Sequence, residues 1–368
     1  MKNTLFKIAS KIIHKKKGYW VFMPCHNKNK FTGNIRALAV YVKQNEDIAV
    51  VVGNEKMKNE VERFQIKTIK RGIAQYWHLL RADKIIIDGY CGFLDGNFSF
   101  IQLWHGTGFK NIGLTRLIPG KEQKKRIRNY KKNYLNCQFV VATSLSDVER
   151  KNDSFGKKKA AITGSPRNDL FFQSSTLYEE YKSKYHLDKY SRIISYAPTF
   201  RDFETSSPFT NKFWRDLQNY LEANNAVFVV KKHPWDRHLK VPQNLKNIID
   251  LTHEIADVQE LLVITDSLIT DYSGIMTDFA ITGRPILLYT YDLEEYLANC
   301  RTFYYDIKEI LPKPFIYEEK ELLDKIKDSA WQQDPEVQES YKKFQQKFHQ
   351  YLDGNSSKRV MEEIKKLS

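Results

Sequence analysis

At 368 residues, 42% of them hydrophobic, the chain is long enough to bury two sizeable cores, and two domains is the natural expectation. Its 59 lysines and arginines against 44 acids leave a formal charge of +15, which points to a polyanionic partner: nucleic acid, an anionic membrane surface or a polyphosphate substrate. No apolar run approaches the roughly 18 residues of a membrane-spanning helix, no secretory signal is apparent at the start, and Cys25, Cys91, Cys137 and Cys300 lack the spacing of a disulfide framework or zinc site.

Residues 1–18 form a basic amphipathic segment. Leu5, Ile8, Ala9 and Ile12 fall on one helical face, with Lys2, Lys7, Lys11 and Lys15 to Lys17 around it. Such a helix either lies in a membrane interface or packs on the domain that follows. Tyr19–Met23 is the first strand, ending at Pro24. A helix follows Gly33, with Ile35, Leu38, Ala39 and Val42 apolar. Ile48–Gly53, Ile85–Asp88, Ile101–Trp104, Phe139–Ala142 and Ala160–Gly164 continue as short buried strands. Strands of this kind alternating with helices imply a parallel sheet covered on both faces. The pattern breaks at a charged, tyrosine-rich segment, Tyr178–Tyr190, and restarts at Arg192–Pro198. Val227–Val230, Asn247–Asp250, Ser267–Thr270 and Pro285–Tyr289 supply a second set, and Ser356–Leu367 a last helix. The expectation is two Rossmann-like domains, 19–188 and 189–350, with a terminal segment 351–368.

Chemistry concentrates at strand ends. His105 stands between an apolar run and Gly106 and Gly108, where backbone approaches a ligand closely, and its ordinary pKa suits it to take a proton from an attacking hydroxyl. His233 closes Val227–Val230 in a matching context, which suggests a cleft between the domains. Ser273 and Gly274 follow a strand and open a helix. They either offer N–H groups and a helix dipole to a phosphate or merely cap the helix. Asp278, one turn on, either accepts from a ribose hydroxyl or is structural. Thr199 and Arg201 end the first strand of the second domain. Arg201 suits a diphosphate through its forked donors, or pairs with Asp202 at the surface. Arg167 follows the rigid turn Gly164–Pro166 and either faces the cleft or belongs to the turn alone. The run Arg116, Lys121, Lys124, Lys125, Arg126, Arg128, Lys131, Lys132 contains one acid, Glu122, and is either a docking surface or a solvated helix face. No divalent-metal cluster is visible.

In order, Trp104-His105-Gly106-Thr107 with Lys110, Thr163-Gly164-Ser165-Pro166-Arg167, Tyr196-Ala197-Pro198-Thr199-Phe200-Arg201, Lys232-His233-Pro234 and Thr270-Asp271-Tyr272-Ser273 with Asp278-Phe279 resemble the CDP-glycerol glycerophosphotransferase family of bacterial wall teichoic acid and capsule synthesis. Asp353-Gly354 with Ser356, Arg359 and Val360 looks like the family's terminal segment. Gly274 stands where many relatives carry a second serine.

The resemblance implies a GT-B-like architecture, with the last helix returning to the first domain. It implies attack of an acceptor hydroxyl on the phosphorus nearest glycerol in CDP-glycerol, with CMP leaving. His105 is then the base and His233 a donor to the phosphates. Thr199, Arg201, Lys232, Ser273, Gly274, Asp278 and Arg167 hold the donor, with no cofactor and no metal. The acceptor implied is an undecaprenyl-diphosphate-linked saccharide. Lys110, Arg116, Lys124, Lys125, Arg126 and Arg128 would lie on the acceptor and membrane side of an enzyme peripheral to the cytoplasmic face of the cell membrane. The long N-terminal extension of the chain-elongating polymerases is absent, which favours a short, primase-like member. Rival readings are a CDP-ribitol enzyme, a nucleotide-sugar glycosyltransferase, and a basic polymer-binding protein without catalysis. The paired histidines argue against the last, and nucleic acid is not an expected partner.

Overall fold

Short runs of valine and isoleucine cannot cover a sheet that is buried on both faces unless they pair with one another and helices close over them. The computed structural model shows this twice. It describes all residues except 1–8, 10–11, 46, 92–97, 117–123, 126, 129–133, 135, 157–158, 174, 202, 204–206, 235, 237, 300–301 and 368. The chain divides into two compact units. The first holds Met1–Thr107, Ile112–Asp169 and His349–Ser368, and the second Gly108–Asn111 and Leu170–Phe348.

In the first unit, β1 (Lys16–Met23), β2 (Ile48–Gly53), β3 (Lys67–Lys70), β4 (Ala82–Ile87), β5 (Phe100–Gln102), β6 (Cys137–Ala142) and β7 (Ala160–Ile162) form a parallel sheet in the order β3-β2-β1-β4-β5-β6-β7. Trp20 pairs with Ala49 on one side and Lys84 on the other. The helix Gly33–Gln44 buries Ile35, Leu38, Ala39 and Val42 against one face, as its periodicity implies. The helix Ser356–Lys365 adds Val360, Met361 and Ile364 to the same cluster. Its first N–H groups, on Ser356 and Ser357, donate to the carboxylate of Asp169, the usual way to satisfy a helix start with an anion. Ala9 and Ile13 pack against the core on the opposite face; of the basic N-terminal segment, residues 1–8, 10 and 11 lie outside the described residues.

In the second unit, β8 (Arg192–Tyr196), β9 (Ala226–Val230), β10 (Ile248–Asp250), β11 (Ser267–Thr270), β12 (Ile286–Tyr289) and β13 (Phe315–Ile316) form a parallel sheet in the order β10-β9-β8-β11-β12-β13. The tyrosine-rich segment that interrupts the pattern begins within the helix Ser175–Lys184 and continues past its end. Tyr181, Tyr185 and Leu187 join Ile193, Val227 and Val229 in one cluster, so the segment packs in this unit. Two strands lie beyond those expected. β3 and β13 are sheet edges, and in β3 only Ile69 is buried while lysines stand at both ends.

Each sheet reverses its winding once. From β1 the chain moves outward to β2 and β3, and from β4 the other way to β5, β6 and β7. In the second unit the reversal lies between β8 and β11. Loops leaving neighbouring strands in opposite directions open a crevice at their carboxyl ends, where open α/β sheets bind ligands. The loops after β1, β4 and β8, β11 therefore mark two candidate positions. The two units are thus the two Rossmann-like sets of a GT-B-like fold.

Candidate active site

The first crevice is organised by Asp88, at the end of β4. Its Oδ1 accepts from the backbone N–H of Cys25 at 2.7 Å and of His26 at 3.0 Å, which fixes the loop after β1. Its main-chain oxygen lies 3.2 Å from Nδ1 of His105. A carbonyl only accepts, so Nδ1 carries the proton and Nε2 presents its lone pair. Burial raises the Asp88 pKa, against the N–H groups of His26 and Cys25. His105 is pushed well below the ordinary histidine value by burial first and then by His26, with the Asp88 carbonyl opposing. Near neutrality it is an uncharged imidazole, the form that accepts a proton.

β5 ends at Gln102 rather than Trp104. The chain turns at Trp104, whose φ of 57° lies in the left-handed region. Gln102 Oε1 accepts from Trp104 N at 2.8 Å, and the Asn34 side-chain amide donates to the Trp104 carbonyl at 2.9 Å. Both bonds hold this costly conformation in place. Arg167 donates to the His105 carbonyl at 2.7 Å and through its backbone N–H to Asn34 Oδ1 at 3.0 Å. Gly106, at φ 146°, leaves room for that guanidinium: a Cβ there would sit 2.4 Å from Arg167 Nη2. Arg167 is thus tied to the His105 turn.

In the second crevice Arg201 is 4% exposed. Nε and Nη2 grip Asp292 at 2.6 and 2.9 Å, while Nη1 reaches Asp271 at 2.8 Å and the Thr199 carbonyl at 2.5 Å. Asp202, the surface partner considered for it, lies outside the described residues; the guanidinium here is committed to two buried carboxylates and a carbonyl rather than left as a free fork. Its ring neighbours are Tyr272, Tyr291 and Tyr296, at 5.1–5.7 Å. Burial works against its charge, but Asp271 and Asp292 outweigh that and raise its pKa. Asp271 also accepts from the Thr199 backbone N–H at 2.9 Å. Thr199 Oγ1 is buried with no hydrogen-bond partner among the described residues.

Ser273 and Gly274 precede the five-residue helix Ile275–Phe279, whose N-cap is Gly274. Asp278 is fully buried and accepts from Gln259 at 3.0 Å, which places its carboxylate in the core rather than toward a ribose. His233 is exposed beside Phe200, ring centres 5.0 Å apart. Lys232 Nζ donates to the Leu239 carbonyl at 2.6 Å. Lys110 belongs to the second unit, with its Nζ on Tyr296 Oη at 2.9 Å and its backbone bridged to Phe303. Arg116, Lys124, Lys125 and Arg128 are exposed, and Arg126 lies outside the described residues. Among the described residues no group of three or more His, Cys, Asp or Glu is placed to hold a metal ion, and no helix is long and apolar enough to cross a membrane.

The structure brings His105 and Arg167 together in the first unit, and Thr199, Arg201 and the Ser273–Gly274 turn around Asp271 and Tyr272 in the second. Sequence reading missed Asp88, His26, Asn34 and Asp292. Asp88 and His26 were signalled only by their place just beyond two neighbouring strands; Asn34 and Asp292 had no local signature.

The chain is 28% identical to the teichoic acid poly(glycerol phosphate) polymerase of Bacillus spizizenii over 94% of this chain and 91% of that protein. It is 30% identical to the teichoic acid glycerol-phosphate primase of the same organism, over 79% and 76%. Some curated relatives are longer, and the chain spans 49% of one of them. The fold is that of the wall teichoic acid polymerase TagF, with a TM-score of 0.84 at 24% identity over 99% of this chain and 92% of that one. Residues 5–366 match a single family throughout, which takes in both crevices and the terminal helix. The motifs at the strand ends, the paired parallel sheets and this match agree: the chain is an enzyme of the CDP-glycerol:poly(glycerophosphate) glycerophosphotransferase family.

Proposed function

We propose that the enzyme transfers glycerol phosphate from CDP-glycerol to a hydroxyl of a membrane lipid-linked saccharide, such as an undecaprenyl-diphosphate-linked one, in teichoic acid or capsule-type polymer synthesis. The observation that carries the reading is the His105 imidazole, neutral, with Nδ1 on the Asp88 carbonyl and Nε2 free of hydrogen bonds to the described residues. Nε2 takes the proton of the acceptor hydroxyl as its oxygen attacks the phosphorus nearest glycerol. The anhydride P–O bond breaks, and CMP departs with the electron pair. Phosphoryl transfer of this kind depends mainly on positioning and charge neutralisation.

On the donor side, Thr199 Oγ1, the N–H groups at Ser273 and Gly274, Lys232 and His233 are the groups for the diphosphate. Arg201 enters as the buried clamp that orients Thr199, and Arg167 holds the His105 turn. No metal is required in this scheme. Arg116, Lys124, Lys125, Arg126, Arg128 and the N-terminal basic segment supply the attraction to anionic headgroups that would keep the enzyme at the cytoplasmic face of the membrane. The test is CMP release with a lipid-linked disaccharide and a donor panel of CDP-glycerol, CDP-ribitol and UDP-sugars. CDP-glycerol should be preferred at least tenfold, about 1.4 kcal/mol. Equal or better use of CDP-ribitol would reassign the donor, and release of UDP would replace the reaction class.

A further inference from the structure

The His26 ring lies face to face on the His105 ring, centroids 3.8 Å apart and planes 10° from parallel. Trp104 approaches His105 with its centroid at 4.2 Å. His26 is exposed, yet its backbone is pinned by Asp88, the residue whose carbonyl takes Nδ1 of His105. The turn is also closely packed from behind: a Cβ on Gly89 would meet the His26 nitrogen at 2.8 Å. We infer that His26 is a positioning residue for His105, its ring fixing the plane of the neighbouring imidazole so that Nε2 is the edge offered to the acceptor. The inference rests on His105 being the base.

Two imidazoles stacked at this distance do not both carry charge without mutual repulsion. The groups facing the pair are the Asp88 carboxylate and carbonyl, the Arg167 guanidinium and the more distant Lys151 ammonium. Arg167 disfavours protonation of both rings, Lys151 that of His105, and Asp88 favours it. His26 therefore adds to what keeps His105 uncharged, and removing its charge should let His105 protonate at higher pH. Activity that needs the neutral ring would then be lost earlier on acidification.

The experiment compares His26→Phe, which keeps a flat ring without charge, with His26→Ala, which removes the stack. The readouts are kcat and KM for CDP-glycerol across pH, thermal melts, and the titration of the His105 ring followed by NMR on the full-length protein. His26→Ala should lower kcat about tenfold or more, as misplacement of a base does, with KM within about twofold. His26→Phe should recover most of kcat at neutral pH, while the acid limb and the His105 NMR midpoint move up by about 0.5 pH unit or more. Should His26→Ala fail to fold, His26→Phe carries the test alone. Wild-type kcat in His26→Ala at every pH, or an unmoved His105 midpoint in the folded variants, would overturn the inference. If His105→Asn retains transfer while the midpoint still moves, the ring coupling stands and the assignment of the base falls.

Discussion

The two crevices are built at equivalent places, each where its sheet reverses direction, yet they treat their key cation-forming side chain in opposite ways. In the first unit, His105 has one ring nitrogen tied to a carbonyl and the other without a hydrogen bond to the described residues. In the second, Arg201 has Nε, Nη1 and Nη2 all engaged by Asp271, Asp292 and the Thr199 carbonyl. A side chain with capacity to spare does chemistry on a ligand. One whose donors are mostly committed, here four of the five N–H groups of Arg201, supports its neighbours: the Thr199 backbone and the turn that begins Asp271-Tyr272-Ser273. The difference separates substitutions that cost rate from substitutions that cost structure.

The largest effect on rate is expected at His105. His105→Ala should reduce transfer about 10²–10⁴-fold, with calorimetric affinity for CDP-glycerol and the thermal midpoint close to wild type. Transfer within about threefold of wild type would remove His105 from the mechanism and erase the contrast. Arg201→Ala should instead unfold more easily, because Asp271 and Asp292, both nearly fully buried, lose their counter-charge. Removing one partner of a buried charge network costs about 3–5 kcal/mol, readable by denaturant titration. Unchanged stability together with lost donor affinity would restore Arg201 as a direct ligand of the diphosphate.

Gly106→Ala tests the first turn from behind. Its Cβ would meet Arg167, and its φ of 146° disfavours any side chain. A cost of about 1–3 kcal/mol is expected, seen as a fall in kcat with donor affinity preserved. The smallest effect is expected for Thr199→Val. It replaces a hydroxyl whose oxygen has no partner among the described residues, so stability should hold, while a lost bond to the donor should raise KM by roughly 0.5–1.5 kcal/mol. An unchanged KM would move the donor away from Thr199.

These contrasts also show what was legible in the sequence. The central strands were, because Ile85–Ile87, Val227–Val230 and Ile286–Leu288 are unbroken apolar runs that only a doubly covered sheet accommodates. β3 and β13 were not, because an edge strand needs only one buried residue and a two-residue strand carries no period. His105 stood out through its glycines. His26 had no such punctuation and becomes visible only once β1 and β5 bring residues 79 positions apart into ring contact. Arg201 lies five residues beyond the end of β8 rather than on it, its partners are 70 and 91 residues away, and no local pattern announces that its charge is neutralised. For Asp278 the sequence left a ribose contact and a structural role both open for a similar reason: Gln259, which bonds to it, belongs to another helix.

In the proposed reaction the bond broken is the one between the glycerol-bearing phosphorus and the bridging oxygen of the donor diphosphate, so that glycerol phosphate moves intact. The most direct measurement is the nucleotide released when wild-type enzyme consumes CDP-glycerol with a lipid-linked disaccharide, quantified beside the mass of the acceptor. One CMP is expected for each glycerol phosphate gained by the acceptor. Release of CDP with transfer of glycerol alone, or consumption of the donor with no gain in acceptor mass, would contradict it.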